Sequence, residues 1–296
     1  MNILILGPGA VGSLWATKFQ FAGHNVSLWG RASNSHLLLQ LDDAPAINFA
    51  NQHLPSVQAA DLIVVTVKAW QVEAAIEPLL PYISEDSIVM LMHNGMGTAP
   101  LLEAKLPDNP LIVATTTHGA YKPSKEQVLH TGHGHTQLGG FNAKGAQCGF
   151  LADVMSHALP EVNWNPNINA ALWTKLAINC AINPLTAIHQ CKNGELAAPE
   201  FAIELTNITH ELVEVMNKEE IAVDFDSLHA TIMQVVNATA ANYSSMRQDV
   251  FHQRRTEIDF ITGYLLQAAE KHHISTPENA KLYQRIKQIE QSWTEQ

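Results

Sequence analysis

The sequence predicts an α/β fold in two parts, and two observations carry this prediction. In the first half, short runs rich in β-branched and apolar residues alternate with helical stretches, an order typical of a parallel sheet with crossover helices. In the second half the strands disappear, and long segments follow in which apolar residues recur at helical spacing. At 296 residues the chain exceeds the length at which single cores usually split, so two domains are expected, 1–166 and 167–296.

The individual elements follow from the same patterns. The predicted strands of the first half are 2–6, 26–29, 62–67, 87–92 and 111–117. Two shorter β-like pieces, 128–131 and 135–138, flank a short turn that contains Gly132 and Gly134. They predict an antiparallel addition to the sheet. The predicted helices are 170–182, 200–220, 226–241, 254–272 and 277–290. Pro184 is expected to end or kink the first helix near Asn183, because proline disfavours helical geometry in the residue before it.

Composition excludes several classes of protein. The formal net charge is −11, a sign that disfavours nucleic acid or an acidic membrane surface as partner, so an anionic ligand must be bound by a local basic group. No uninterrupted apolar run reaches the roughly 18 residues of a membrane span, and the N-terminus lacks the basic region and cleavage site of a signal peptide. The three cysteines lack CxxC spacing, which indicates reduced thiols. We therefore expect a cytoplasmic protein.

A glycine-rich turn directly follows the first predicted strand and opens a helix over 10–21. Gly7 permits the tight turn, Gly9 lets the backbone approach a pyrophosphate, and Gly12 lets the helix pack closely on the strand. The full turn matches the GxGxxG pattern of dinucleotide-binding sites, with the sequence Gly7-Pro8-Gly9-Ala10-Val11-Gly12. We therefore expect an N-terminal Rossmann-like dinucleotide-binding domain followed by a C-terminal all-helical domain. The alternative is a glycine-rich turn without a ligand.

The end of the second strand bears on the type of dinucleotide. This strand ends in Trp29-Gly30-Arg31, without the acidic residue that usually bonds the ribose 2′-hydroxyl of NAD. An arginine can pair with the 2′-phosphate of NADP through charge-assisted hydrogen bonds. NADPH or NADP⁺ is therefore the predicted cofactor, and a solvated surface arginine is the alternative.

Two further strand ends carry polar side chains where ligands bind in open α/β sheets. Lys68 could reach a cofactor phosphate or a substrate carboxylate. Asn94 is followed by glycines that free the backbone, and it could hold the nicotinamide half of the cofactor. Each residue could instead be structural, as a surface lysine and a turn asparagine.

One face of the first C-terminal helix is unusually polar. Lys175, Asn179 and Asn183 are four residues apart and share this face. Polar groups on an otherwise apolar helix cost free energy unless they have partners or line a cavity, which favours a binding site over a solvated face. Glu257 stands at the start of the predicted helix 254–272 and could complete the site. Taken alone, a glutamate at this position is more often a first-turn acid favoured by the helix dipole.

The chain resembles the ketopantoate reductase family nearly from end to end. Besides the glycine-rich turn, the resemblance rests on Lys-Ala-Trp-Gln (68–71), His-Asn-Gly-Met-Gly (93–97), Thr-Thr-Thr-His (115–118), Leu-Trp through Asn-Pro-Leu-Thr-Ala (172–187), Cys-Lys-Asn-Gly-Glu (191–195), Ser-Ser-Met (244–246) and Thr-Glu-Ile-Asp (256–259). Pro8 departs from the small residue common in the family at that position. It lies between the glycines, where it should not obstruct a phosphate.

The resemblance implies a reaction and a role for each matching residue. The reaction is the NADPH-dependent reduction of 2-dehydropantoate to (R)-pantoate, a step of pantothenate synthesis. Lys175 would be the general acid, and Glu257 would be a second catalytic residue that positions Lys175 and also contacts the cofactor. The implied cofactor positions are the turn 7–12, Lys68, Asn94, Ala120 and Glu257, and the end of the second strand adds Arg31. The implied substrate positions are Asn94, Lys175, Asn179, Asn183, Asn193 and Ser245.

Other functions stay open at this point. A related enzyme with the same two-domain plan could act on another 2-oxo acid or a β-hydroxyacid, and a regulator could bind NADP as a signal without turnover. A metal site at His130, His133 and His135 is not expected, because no cysteine or carboxylate ligand adjoins these histidines, which suit an ordinary surface. The sequence leaves the oligomeric state open, with a homodimer as the assembly considered.

Overall fold

The computed structural model describes residues 1–293, and strands alternate with helices along the first half of the chain. The strands are β1 (Asn2–Leu6), β2 (Asn25–Trp29), β3 (His36–Leu41), β4 (Ile47–Ala50), β5 (Leu62–Val65), β6 (Ile88–Leu91), β7 (Leu111–Thr116), β8 (Gly119–Tyr121), β9 (Gln127–Gly132), β10 (Thr136–Gly140) and β11 (Val162–Trp164). The helices are α1 (Ala10–Phe21), α2 (Leu54–Gln58), α3 (Val72–Ile76), α4 (Ala99–Lys105), α5 (Leu151–Ala158), α6 (Ile168–His189), α7 (Ala202–Lys218), α8 (Phe225–Ala238), α9 (Ser245–Phe251), α10 (Thr262–Lys271) and α11 (Pro277–Ser292).

Backbone contacts divide the chain into two compact units. The α/β unit comprises residues 1–93 and 97–168, and the helical unit comprises residues 94–96 together with the chain from residue 169 onward. The segment 94–96 therefore belongs to the helical unit although both of its chain neighbours belong to the α/β unit. The strand pattern did not predict this exchange.

A seven-stranded sheet forms the centre of the α/β unit, in the order β11-β10-β7-β6-β5-β1-β2. The strands from β7 to β2 run parallel, while β10 is antiparallel to β7 and parallel to β11. All four residues of β5 are fully buried, as a strand covered on both faces requires. The predicted α/β class, a parallel sheet followed by a helical half, is confirmed.

A second sheet of four strands, in the order β4-β3-β9-β8, belongs to the same unit. Strand β9 runs parallel to β3 and antiparallel to β8. It therefore does not form a hairpin with β10, the next strand along the chain. The predicted antiparallel addition to the main sheet is thus correct for β10 and wrong for β9. Strands β3, β4 and β8 of this sheet, and β11 of the main sheet, were not predicted from the sequence. Strand β8 has only three residues, too few to show a periodic pattern.

Helix α6 does not end near Asn183, so that part of the expectation for Pro184 is wrong, and a kink at this position stays a prediction. The helix continues to His189, and Leu185, Thr186 and Ala187 are each at most 1% exposed. The Thr186 hydroxyl donates to the carbonyl of Ile182 at 2.9 Å, as serine and threonine side chains often do inside helices. Burial of this last turn outweighs the backbone hydrogen bond that the proline removes.

One face of α6 packs into the core of the helical unit, and this leaves the other face for other contacts. Trp173, Leu176, Ala177, Cys180 and Ala181 are buried in this core from α6, together with apolar residues of α7, α8, α10 and α11. The lysine and asparagines of the polar stripe therefore lie on the other side of the helix. In the part of the chain that is described, no helix combines the length and apolarity of a membrane span.

Candidate active site

The glycine-rich turn of the α/β unit has the geometry of a phosphate-binding turn. Gly7 has a φ of +94°, and a Cβ there would collide with Val67. A Cβ at Gly12 would collide with Thr66 and with the carbonyl of Gly7, which the Thr66 hydroxyl bonds at 2.7 Å. A Cβ at Gly9, by contrast, would meet no atom within 4 Å. Two of the glycines are therefore needed by the fold, and Gly9 leaves open space for a ligand.

Helix α1 begins at this turn with Gly9 as its N-cap, and among residues 1–293 no side chain caps it. The first backbone N–H groups of a helix lack helical acceptors and carry a partial positive charge, so they suit a phosphate. The open space at Gly9 and the uncapped helix fit the pyrophosphate of a dinucleotide. The residues predicted to bind the cofactor at 7–12 occupy this turn.

Arg31 lies directly beyond the end of β2 and is exposed. The loop that carries it is held by Asn51, which is 2% exposed. The Asn51 side chain accepts a hydrogen bond from Gly30 N at 2.8 Å and donates to the carbonyls of Ala32 and Asn34 at 2.9 and 2.7 Å. Asn51 thus fixes the loop that carries the exposed arginine. This role was not predicted, since a buried asparagine has no periodic signature.

Two other predicted cofactor residues lie at separate positions in the α/β unit. Lys68 follows β5, is half-buried, and precedes a short 3-10 turn at Ala69–Gln71. Ala120 lies on β8 opposite His130, next to an irregularity in the strand pairing.

Lys122 was also missed, although it contacts the glycine-rich turn. Its ammonium donates to the carbonyl of Pro8 at 3.0 Å and to the Ser13 hydroxyl at 3.1 Å. Burial lowers its pKa below the usual value. Lys122 belongs to the loop between β8 and β9, and only the unpredicted pairing of these strands brings it to α1.

In the helical unit, Lys175 and Glu257 interact. Burial lowers the pKa of Lys175 to about 8, and the negative charge of Glu257 opposes that shift. Glu257 is itself buried, with 6% of its surface exposed. A buried carboxylate is costly unless it is paired, and here the ammonium of Lys175 supplies the opposite charge.

Glu257 precedes a 3-10 turn at Ile258–Phe260, and α10 begins only at Thr262. The expectation that Glu257 stands in the first turn of a helix 254–272 is therefore wrong. Its position is fixed from both sides instead. Thr256 donates through its backbone N and its hydroxyl to Glu290 at 2.8 and 2.7 Å, and Asp259 accepts a hydrogen bond from Tyr283 at 2.9 Å. These anchors hold the segment in an irregular conformation that helical periodicity could not predict.

Asn94 joins the same group. Its Nδ2 lies 3.4 Å from Oε2 of Glu257. The next residue, Gly95, has a φ of +83°, and a Cβ there would collide with the backbone of Phe260. Met96 N donates to the carbonyl of Phe260 at 2.8 Å, which ties the segment 94–96 to the 3-10 turn. Asn94 was predicted on the sheet edge, and its contact with Glu257 explains why both residues suit one site.

The remaining predicted substrate residues lie further along α6 and beside it. Asn179 and Asn183 continue the polar stripe, and Asn183 lies about 12 Å from Lys175 along the helix axis. Ser245 is exposed at the start of α9, where the preceding Ser244 caps the helix and lies 2.7 Å from the Thr186 hydroxyl. The stripe therefore extends from the Lys175–Glu257 pair toward the start of α9.

Asn193 is buried near this end of the stripe. Its Nδ2 donates to Thr239 at 2.9 Å, and its backbone N donates to the carbonyl of Asn242 at 3.0 Å. Its Oδ1 is buried, and within residues 1–293 it has no hydrogen-bond partner. An unsatisfied buried amide oxygen is costly, so this atom suits a ligand that donates a hydrogen bond.

Of the histidines predicted to suit an ordinary surface, His130 contacts a further histidine, His118. His118 Nδ1 lies 3.1 Å from His130 Nε2 and accepts a hydrogen bond from Gly134 N, also at 3.1 Å. Burial, followed by the neighbouring His130, lowers the pKa of His118 to about 4. In the described chain, no three His, Cys, Asp or Glu side chains are arranged to hold a metal ion. The absence of a metal stays a prediction.

The parallel sheet and the glycine-rich turn at its first strand define a dinucleotide-binding protein. Family profiles described as "Ketopantoate reductase PanE/ApbA" and "Ketopantoate reductase PanE/ApbA C terminal" match residues 3–143 and 167–290. The chain belongs to the ketopantoate reductase family, as its motifs predicted. It is therefore an oxidoreductase that acts on a small molecule.

Similar proteins support this assignment. A 2-dehydropantoate 2-reductase of Vibrio cholerae is 56% identical over 294 residues, which cover 99% of each chain. A D-mandelate dehydrogenase in complex with NADH and anilino(oxo)acetate is 25% identical, with a TM-score of 0.90 over 99% of each chain. A dimeric ketopantoate reductase from Staphylococcus aureus is also 25% identical, with a TM-score of 0.83 over 98% of this chain and 99% of that one.

Proposed function

We propose that this protein reduces 2-dehydropantoate to (R)-pantoate with NADPH, the reaction that serves pantothenate synthesis. The observation that carries the proposal is the pairing of Lys175, whose pKa is lowered to about 8, with the buried carboxylate of Glu257. A lysine with that pKa is largely protonated at neutral pH and still able to give up its proton, as a general acid must. The 56% identity to a 2-dehydropantoate 2-reductase supports the choice of substrate.

In this proposal one half of the chain binds the cofactor and the other binds the substrate. Residues 1–166 bind the cofactor through the turn 7–12, Arg31, Lys68 and Ala120, with Asn94 and Glu257 contributing at the nicotinamide end. Residues 167–296 bind the substrate and carry the proton donor. Bound NADPH supplies the hydride that reduces the C2 carbonyl of the substrate.

The lysine acts on the carbonyl oxygen of the substrate. Negative charge develops on this oxygen during reduction, and the Lys175 ammonium stabilises the charge and donates a proton to the oxygen. Glu257 keeps the lysine protonated and holds its position, and it accepts a hydrogen bond from the substrate hydroxyl. A positioned general acid contributes about 10²- to 10⁴-fold to the rate.

The polar stripe and its neighbours orient the substrate. Asn94 lies beside Glu257, while Asn179 and Asn183 offer amide groups along α6. The unsatisfied Oδ1 of Asn193 can accept a hydrogen bond from a substrate hydroxyl, and the exposed Ser245 hydroxyl can donate to a carboxylate. Uncharged groups of this kind select a substrate by geometry rather than by net charge.

The second candidate is the reduction of a different 2-oxo acid. It is favoured by the similarity in fold to D-mandelate dehydrogenase, which was solved with NADH. The exposed Arg31 and the absence of an acidic residue at the end of β2 favour NADPH over NADH for this chain.

The deciding experiment follows the loss of NADPH absorbance after purified protein is mixed with 2-dehydropantoate. Pyruvate, an aromatic 2-oxo acid and a β-hydroxyacid with NADP⁺ are tested in parallel, and NADPH binding is measured separately by fluorescence. Rapid and selective oxidation with 2-dehydropantoate is expected. Faster turnover of another compound would assign that substrate instead. Tight binding of NADPH without turnover of any compound would point to a nucleotide sensor.

A homodimer and a cytoplasmic location complete the proposal. The dimer is supported by the dimeric relative from Staphylococcus aureus, and light scattering of the purified protein tests it. The location is supported by the free cysteines Cys148, Cys180 and Cys191, as reduced thiols are typical of cytoplasmic proteins, and it is tested by cell fractionation.

A further inference from the structure

The strongest unassigned feature is the position of Lys122 at the glycine-rich turn. The loop between β8 and β9 brings its ammonium to the first turn of α1, where it bonds the carbonyl of Pro8 at 3.0 Å and the hydroxyl of Ser13 at 3.1 Å. Ser13 is fully buried and itself donates to the Pro8 carbonyl at 3.0 Å. The lysine is thus attached directly to the segment that follows Gly7.

No carboxylate among the described residues balances the charge of Lys122. Within residues 1–293 its partners are a carbonyl and a hydroxyl, and no carboxylate forms an ion pair with it. Burial alone accounts for its lowered pKa, with no nearby charge contributing. This is unusual in a chain with 28 acidic residues against 17 basic ones. A partly buried cation without a counter-charge is costly, so its presence at a phosphate-binding turn calls for an anion.

The geometry leaves Lys122 able to bind such an anion. A lysine ammonium has three N–H donors, and the two contacts within the described chain use two of them. The carbonyl of Pro8 does not depend on the lysine, because the Ser13 hydroxyl also bonds it. The two contacts therefore orient the ammonium without being required to close the turn.

We propose that Lys122 binds a phosphate group of the dinucleotide cofactor, supplying a fixed positive charge beside the backbone N–H groups of α1. This inference rests on the proposed function only in taking NADPH as the ligand. Two phosphates have the required chemistry: the pyrophosphate, which NADPH and NADH share, and the 2′-phosphate, which only NADPH carries. Lys122 is then a cofactor-binding residue beyond those predicted from the sequence.

The test compares three variants of the full-length protein. Lys122→Met removes the charge and keeps the apolar stem, and Lys122→Arg keeps a charge. Lys125→Met is the matched control, because Lys125 lies in the same loop and is exposed. Its substitution removes one positive charge, as Lys122→Met does. Dissociation constants for NADPH and NADH are measured by fluorescence at low and high salt, and the melting temperature is recorded without cofactor.

Lys122→Met is expected to weaken NADPH binding by about 10- to 100-fold, the range of a hydrogen bond to a charged group. Lys122→Arg should recover part of this loss, and Lys125→Met should bind NADPH as the unmodified protein does. The cofactor-free melting temperature of Lys122→Met should not fall, because the variant removes an unbalanced charge. The salt dependence of NADPH binding should become weaker in this variant, since one charge contact is missing.

Comparison of the two nucleotides identifies the phosphate. A loss confined to NADPH assigns Lys122 to the 2′-phosphate, and an equal loss for NADH assigns it to the pyrophosphate. Unchanged NADPH binding in Lys122→Met would overturn the proposal. A lower melting temperature with unchanged salt dependence would also overturn it, because Lys122 would then only brace the turn. These readouts measure binding alone, so a failure to reduce 2-dehydropantoate would count against the proposed function and leave this inference standing.

Discussion

Glu257 opposes the effect of burial on Lys175 within the helical unit. Burial lowers the pKa of the lysine to about 8, and the neighbouring carboxylate is the group that raises it. The pair therefore sets the pH range in which the lysine holds a proton. Glu257 is buried in an irregular segment, and Lys175 is half-buried on the polar face of α6.

The first prediction concerns the pH profile of the reaction. A general acid must be protonated, so kcat/KM should be constant at neutral pH and fall as the pH rises through about 8. In Glu257→Gln the charge that raises the pKa of Lys175 is lost, and the fall should move to lower pH. Glu257→Asp keeps a carboxylate and should move it less. Profiles of the three proteins with saturating NADPH check this, and a fall at the same pH in Glu257→Gln would contradict the pairing.

The second prediction concerns the lysine itself. Lys175→Met keeps the apolar stem but has no proton to donate, so kcat should fall by about 10²- to 10⁴-fold. The dissociation constant of NADPH should change little, because the glycine-rich turn lies in the other unit of the chain. Lys218→Met, at the exposed end of α7, is the control and should keep full activity. Full activity of Lys175→Met would refute the role of this lysine.

Local signals in the sequence were sufficient for the regular parts of the fold. Helix α1 and strand β1 lie where the sequence predicts them, because an apolar strand, a GxGxxG turn and a helix leave few alternatives. The polar stripe of α6 was recognised because its four-residue spacing is a property of any helix. The end of the same helix was wrongly predicted at Pro184, because the proline rule is local and the burial of residues 185–187 is not.

The parts that sequence could not supply depend on contacts between distant segments. Lys122 reaches the turn only because β9 pairs with β3 and β8, a second sheet that was not foreseen. Asn94 contacts Glu257 across 163 positions of sequence. The segment around Glu257 has no periodic pattern, since Glu290 and Tyr283 of α11 fix it from outside. Such residues carry no local signal, and only the resemblance to a family indicated some of them.

The third prediction separates the roles of two glycines in the same turn. Gly9 has room for a methyl group and a φ of −70°, so Gly9→Ala should melt at the temperature of the unmodified protein. It should nevertheless bind NADPH more weakly, because the methyl group fills the space expected for the pyrophosphate. Gly12→Ala should lower stability by about 1–3 kcal/mol through collision with Thr66 and Gly7. Thermal melts and NADPH titrations check both, and unimpaired NADPH binding by Gly9→Ala would contradict this site.

The fourth prediction concerns the preference for NADPH over NADH. Arg31→Gln removes the charge expected to pair with the 2′-phosphate, so NADPH binding should weaken by about 10- to 100-fold while NADH binding is unchanged. Arg31 is exposed, so the melting temperature without cofactor should not change. An equal loss for both nucleotides would remove Arg31 from the 2′-phosphate site.

Asn51→Ala acts on the same preference through the backbone. It deletes hydrogen bonds to Gly30, Ala32 and Asn34 and leaves partly buried backbone groups without this partner, which should cost about 1 kcal/mol of stability. The loop that carries Arg31 is then no longer held, so the preference for NADPH should shrink although the arginine is intact. Asn48→Ala, in the neighbouring strand β4, is the control for general damage. If Asn51→Ala lost stability but kept the full preference for NADPH, the loop would not need Asn51 to present its arginine.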